Sequence, residues 1–222
     1  MTRSVTLIHT VSSLIEPFTD LANELLPETD VFHILDESLL TLTRRLGHIT
    51  PQIRRRLLAH ATSADDQGVS AILVTCSSVG SVVEVIRPFI TAPILRVDDA
   101  MADHAIALGM RIGILATLSS TLEPTRQLIA SRAIERGAEL TIRAVVCDGA
   151  FEALSLGDVK RHDDLVRTGL VSLAADSDVV VLAQASMARA LADVSLAIPI
   201  PILSSPRLAM ERLALVLAQQ DA

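Results

Sequence analysis

Tryptophan and tyrosine are absent from this chain of 222 residues, and phenylalanine occurs 4 times. Proteins that hold single-stranded nucleic acid stack bases on aromatic rings, and here there is almost nothing to stack on. Positive charge is in short supply as well. The 19 Lys and Arg against 26 Asp and Glu give a formal net charge of −7, which opposes binding along a phosphate backbone and otherwise serves solubility. Nucleic acid is therefore not an expected partner.

Cysteine is scarce too. Cys76 and Cys147 stand far apart, form no disulfide framework and match no CxxC or Cys/His metal spacing. A reducing cytoplasm and no bound metal are expected. The opening MTRSVTLIHTVSS has one Arg and a very short apolar run, without the apolar region or cleavage site of a secretion signal. Charge or proline interrupts every apolar run well before the ~18 residues of a membrane span. GxGxxG, P-loop, HExxH and GxSxG patterns are all missing, so nucleotide-binding, zinc-hydrolase and serine-hydrolase readings have no support. There is no low-complexity segment and no Gly/Ser linker, so any domain boundary must be a tight crossover. A soluble cytoplasmic protein without a membrane partner is the expectation.

What the chain does have is hydrophobicity, 50% of its residues, enough to bury a large core or two small ones. Short β-branched runs at 4 to 9, 30 to 35, 70 to 75, 92 to 97, 111 to 117, 139 to 145, 178 to 183 and 198 to 203 alternate with helical patterns. Most of these runs are continuously apolar, as in parallel strands covered on both faces by helices. In TPQIRRRLLAHATSADDQG, Thr50 caps Pro51 at the first helical position, Ile53, Leu57 and Leu58 form an apolar stripe, and Gly68 ends the segment. Arg54, Arg55 and Arg56 spread around that helix as a solvated face. Further helices are expected over 12 to 26, 79 to 89, 98 to 108, 121 to 137, 158 to 176, 185 to 193 and 205 to 220. The apolar face of 205 to 220 calls for cover, which a homodimer or higher homo-oligomer would provide.

The stretches SAILVTCSSVGSVVEV and DVVVLAQASMARALAD echo one another: a strand, a loop of small residues, an amphipathic helix. Cys76 and Gln184 hold equivalent places just past the strand. Two facing α/β halves would bring both loops to one cleft, because ligands of such sheets bind beyond the carboxyl ends of the strands.

Cys76 precedes Ser77 and Ser78, where amides of the next helix would stabilise a thiolate or a neighbouring anion. A buried strand-end cysteine is the competing reading, since Cys is among the most buried residue types. Cys147, in a CDG run, lacks such an amide cluster and reads as structural. RIGILATLSSTLEP ends a strand in Thr117, Ser119, Ser120 and Thr121, hydroxyls suited to a carboxylate; the same spacing suits a helix N-cap at Ser120 or Thr121. His9 and Thr10 end the first strand, with Ser12 and Ser13 following. A lone strand-end histidine is commonly a hydrogen-bonded structural residue, but its place on the ligand-binding edge makes His9 a proton-transfer candidate. Asp36, Glu37 and Ser38 lie on the same edge and read as a helix cap.

Three of these stretches together resemble the aspartate/glutamate/hydantoin racemase superfamily, to which arylmalonate decarboxylase and maleate isomerase are related. VTCSSVG is similar to its first cysteine motif, IGILATLSST to its carboxylate loop, and DVVVLAQASMA to its second motif, usually a strand ending in Leu-Gly-Cys. The resemblance spans essentially the whole chain. It implies two pseudo-symmetric, mainly parallel α/β domains, residues 1–98 with 205–222 and residues 99–204, with helices on both faces and the active site in the cleft between them.

It also implies a cofactor-free enzyme acting on a small carboxylic acid. Two-cysteine members use one thiolate to take the proton next to the carboxylate and the other thiol to return one to the opposite face. Amides and hydroxyls meanwhile stabilise the enolate. Here Gln184 stands at the second cysteine position, and an amide does not trade protons at useful rates. The resemblance therefore implies Cys76 as acid/base or nucleophile, with Thr10, Ser12, Ser77, Ser78, Thr117 and Ser120 binding the substrate, and Gln184, Ala185 and Ser186 contributing from the other half. Racemisation would need a second proton-transfer group, for which His9 is the candidate. One-sided isomerisation or decarboxylation needs none, and a non-catalytic small-acid-binding protein is the alternative from another class.

Overall fold

A computed structural model describes residues 3–191 and 198–220. Within them the chain divides by internal packing into two compact units, one running to Val97 and resuming at Pro206, the other Asp98–Ser205.

The first unit is built on β1 (Arg3–His9), β2 (Thr29–Leu35), β3 (Ala71–Val74) and β4 (Ile94–Arg96), all parallel in the order β2-β1-β3-β4. The second repeats that order with β5 (Arg111–Ala116), β6 (Thr141–Val146), β7 (Val179–Leu182) and β8 (Ile202–Ser204), arranged β6-β5-β7-β8 and again parallel. The eight strands fall on the eight β-branched runs of the sequence. Every residue of AILV in β3 and VVVL in β7 is buried, which is why these runs are continuously apolar: both faces of a central parallel strand are covered. β8 is shorter than its run, because Pro199 and Pro201 have no N–H for a ladder; the Pro201 carbonyl still accepts from Val180 N–H at 3.0 Å.

The connecting helices are α1 (Ile15–Leu25), α2 (Glu37–Leu46), α3 (Pro51–Asp65), α4 (Gly80–Ile86), α5 (Asp99–Leu108), α6 (Ser119–Glu135), α7 (Ala150–Ser155), α8 (Val159–Ala174) and α9 (Ser205–Gln219). In α3 the Thr50 hydroxyl accepts from Ile53 N–H, Ile53 and Leu57 are fully buried, and Gly68 takes a left-handed φ of 72° in the turn that follows. Proline sets the limits elsewhere: the helix expected over 79 to 89 is α4 followed by a 3-10 turn at Arg87–Phe89, with Pro88 inside that turn. Two helices, α2 and α7, lie outside the helical segments expected from the sequence, although the start of α2 falls where Asp36, Glu37 and Ser38 read as a helix cap. The segment expected as a helix over 185 to 193 is a 3-10 helix at Ala185–Leu191, and its Met187 N–H bonds back three residues to the Gln184 carbonyl at 3.0 Å; positions 192 and 193 lie outside the described residues. No helix among the described residues is long and apolar enough to cross a membrane.

Close approach of α8 to β5 depends on one glycine. A Cβ on Gly169 would lie 2.7 Å from Leu115 Cδ1 and 2.8 Å from Cys147 Sγ, both in the buried core of the second unit. Gly169→Ala sets a helix-propensity gain of about 1 kcal/mol against overpacking of about 1–3 kcal/mol. The expected outcome is a net loss, read as a lower urea midpoint than that of the wild type; a higher midpoint would show that the core yields to the methyl group.

Candidate functional site

Parallel pairing delivers the ends of neighbouring strands to one edge of each sheet. In the first unit these ends carry His9 at the end of β1 and Thr10 after it, Asp36 after β2, Thr75 and Cys76 after β3, and Arg96 at the end of β4. Cys76 is buried and reduced, with an extended backbone (φ −124°, ψ 111°). A tight 3-10 turn, Ser77–Val79, follows it, so α4 begins only at Gly80 rather than directly beside the thiol.

Polar groups around Cys76 are deeply buried. Thr10 and Ser77 are 2% and 4% exposed, and among the described residues neither hydroxyl has a hydrogen-bond partner. Ser78 is buried as well. Ser12 is exposed, its N–H 3.4 Å from Glu37 Oε1. Asp36 caps α2 as its sequence suggests, accepting from Ser38 N–H and Oγ–H and from Arg56 and His60, the last two at 2.8 Å each. Burial pushes its carboxyl up, but the hydrogen bonds of Ser38 and His60 and the charge of Arg56 outweigh that and hold it below its ordinary value.

His9 is not placed to act on a ligand. It is fully buried; its Nδ1 meets Thr75 Oγ1 at 2.9 Å and its Nε2 meets His33 Nδ1 at 2.9 Å. His33 Nε2 continues to Thr19 Oγ1 at 3.2 Å, and the chain ends on the carbonyls of Ile8 and Ile15, each within reach of a threonine hydroxyl. The rings of His9 and His33 stack 5.1 Å apart. This chain has one more contact than two neutral rings and two hydroxyls have protons to fill. Even so, burial, with the neighbouring His33 second, lowers the pKa of His9 to about 4, and burial lowers that of His33. With both ring nitrogens committed to protein, His9 is a positioning group for Thr75, the residue before Cys76.

Arg96 was not singled out in the sequence, although a cation in the apolar run APILRV was a signal. It is 4% exposed, and a Cβ on Gly80 would lie 2.8 Å from its Nε. The guanidinium thus lies over the first residue of α4, at the end of the loop that starts with Cys76.

In the second unit the corresponding edge carries Thr117 after β5 and Gln184 after β7. Gln184 Oε1 accepts from Thr117 N–H at 2.6 Å and from Thr117 Oγ1–H at 2.9 Å. The expected N-cap at Ser120 or Thr121 is not formed: α6 begins at Ser119, Leu118 holds the cap position without a side-chain bond, and the Ser120 hydroxyl is buried without a partner. Thr117 has turned its donors to Gln184 instead. Ala185 is buried and Ser186 half-buried in the 3-10 helix beyond. Cys147 packs against α8, where burial, then Asp148, pushes its thiol up to about 11. Among the described residues no three His, Cys, Asp or Glu side chains gather as a metal site requires.

The histidine pair makes folding sensitive to acid. An unfolded imidazole takes its proton near 6.5, and folded His9 resists until about 4. Between those values the unfolded chain binds more protons, so stability falls as the pH is lowered through the window and is flat with respect to this group above it. In His9→Asn the fall over the same window is smaller by up to about 3 kcal/mol, measured as urea midpoints between pH 7.5 and 4. Parallel curves for the two proteins would exclude His9 as the source.

Comparison with known proteins follows the same geometry. Solved structures that superpose on the chain include glutamate racemase of Francisella tularensis in complex with D-glutamate (TM-score 0.75, 14% identity, 99% of this chain and 82% of that one) and a putative Asp/Glu racemase of Yersinia pestis (TM-score 0.76, 18% identity, 98% and 100%). Arylmalonate decarboxylase without ligand also superposes (TM-score 0.57, 16% identity, 100% and 94%). These likenesses are of fold. No characterised protein matches the chain by sequence search. The profile of the Asp/Glu/Hydantoin racemase family matches residues 49–213, a span that takes in Cys76, Thr117 and Gln184, and with two four-stranded parallel sheets of one strand order the chain belongs to the Asp/Glu/hydantoin racemase family.

Proposed function

We propose that this family member is a cofactor-independent enzyme that moves a proton at the carbon next to the carboxylate of a small acid, with Cys76 as the acid/base. The observation that carries the reading is the setting of Cys76: it follows the buried strand β3, next to Ser77 in sequence and level with Thr10 in the register of β1 and β3, and the buried hydroxyls of Thr10 and Ser77 have no partner among the described residues. Buried polar groups are almost always satisfied, so hydroxyls left open beside a thiol are suited to receive the oxygens of a ligand.

The chemistry asks for this combination. Removing a proton from carbon leaves an electron pair that must spread into the adjacent carboxylate as an enolate. Hydroxyl donors stabilise that charge best where water is excluded. The thiolate of Cys76 takes the proton to become the thiol, and the same thiol returns it, or gives one to a carbanion left by departing carbon dioxide. Ser12 and Ser78 join Thr10 and Ser77 as proposed substrate contacts of the first unit. Gln184 favours one-sided chemistry, isomerisation or decarboxylation, over racemisation: its amide has no proton to trade, and its oxygen is already bonded to Thr117.

The test is incubation with amino acids, hydantoins, malonates and maleate in deuterated water, followed by NMR. The expected outcome is exchange, isomerisation or loss of carbon dioxide for one class of acid, with Cys76→Ser slower by roughly a hundredfold or more. A folded Cys76→Ser protein with full turnover would remove Cys76 from the reaction. Saturable binding of an acid without any of the three reactions would make the protein a small-acid binder.

A further inference from the structure

The two sheets share one strand order, so their loops can be compared residue by residue. The last rung between β1 and β3 is Thr75 N–H to the Ile8 carbonyl, and that between β5 and β7 is Ala183 N–H to the Leu115 carbonyl. Carried past those rungs, the equivalence pairs Thr10 with Thr117 and Cys76 with Gln184. Both threonines are buried, 2% and 4% exposed, yet their circumstances are opposite. The Thr10 hydroxyl has no partner, whereas Thr117 gives both its N–H and its O–H to one oxygen, Gln184 Oε1, at 2.6 and 2.9 Å.

A backbone N–H can only donate, so the oxygen and not the nitrogen of the Gln184 amide must face it. A backbone amide and a hydroxyl converging on one oxygen in a part-buried setting form the arrangement that holds a carboxylate or oxyanion. Here the protein supplies that oxygen itself. We propose that Gln184 plugs an anion cradle at Thr117, so that a small carboxylate binds there only when the Gln184 side chain is removed or displaced. The equivalent hydroxyl of Thr10, beside Cys76, carries no such plug. The inference rests on the proposed function only for the class of ligand.

The experiment is a titration of the full-length protein with sodium acetate against sodium chloride of equal ionic strength, following the assigned amide resonance of Thr117. In the wild type that resonance should stay still. In Gln184→Ala it should move saturably, with acetate bound at least roughly tenfold more tightly than in the wild type, the net worth of about one hydrogen bond. Gln184→Met, which keeps the volume without the acceptor oxygen, should behave alike and serves if the alanine variant does not fold. An equal response in wild type and variant would mean the cradle is open; no response in either variant would mean it does not hold anions. Both outcomes overturn the proposal, and neither touches the Cys76-dependent exchange that tests the proposed function.

Discussion

Parallel pairing is the constraint from which the rest follows. Strands that run the same way must all end at the same edge, and each must be reached by a crossover that covers a face of the sheet. In each unit the second sequential strand is an outer one, and the first is flanked on both sides. The first and third strands therefore end side by side at the middle of the edge. The last backbone bonds, Thr75 to Ile8 and Ala183 to Leu115, then decide which side chains become neighbours just beyond the ladder. Thr117 and Gln184 are 67 residues apart in sequence, and register alone brings them together.

That dependence on register explains which features were legible in the sequence. A strand buried on both faces writes itself as a continuous apolar run, so AILV and VVVL were readable, and the repetition of strand, small loop and helix pointed to paired units. The capping residues Thr50 and Asp36 were readable because a cap acts on its own next few residues. Helix α2 was harder, for Thr41 and Thr43 interrupt its apolar stripe with β-branched polar side chains, although Thr43 is buried and bonds back to the Leu39 carbonyl. Helix α7, with 6 residues, is too short to display a period. The partners of His9 and Gln184 were not legible at all. His33 lies diagonal to His9 across β1 and β2, where Leu7 is opposite His33 and Leu35 opposite His9, and no local pattern specifies which residues of two strands will align.

Burial gives the same edge its electrostatic character. His9 could have served as a base on the strength of its place after β1. Enclosed by Phe18, His33 and Thr75, it loses the water that would stabilise an imidazolium, and its proton affinity falls accordingly. A buried ring with both nitrogens bonded to protein groups holds its neighbours in place. The hydroxyl of Thr75 is tied both to that ring and to the Ile8 carbonyl, which holds the backbone rigid immediately before Cys76. Arg96, buried over Gly80, bounds the other end of the same loop. The segment from Thr75 to Gly80 is therefore held at both ends, with the Ser77 hydroxyl left unsatisfied inside it, as that of Thr10 is just after β1.

An amide at position 184, where the racemase resemblance implies a thiol, does more than withhold a proton carrier. A cysteine there would have left the Thr117 amide and hydroxyl to a ligand, because a thiol is a weak acceptor. Glutamine is long enough to bring a strong acceptor back onto them and close the pair within the protein. Two units of one topology are in this way chemically unlike: one leaves the Thr10 hydroxyl open, and the other ties the equivalent Thr117 to Gln184. Inversion at carbon requires acid/base groups on both faces of the substrate, and an amide whose oxygen is held in an internal hydrogen bond is not such a group.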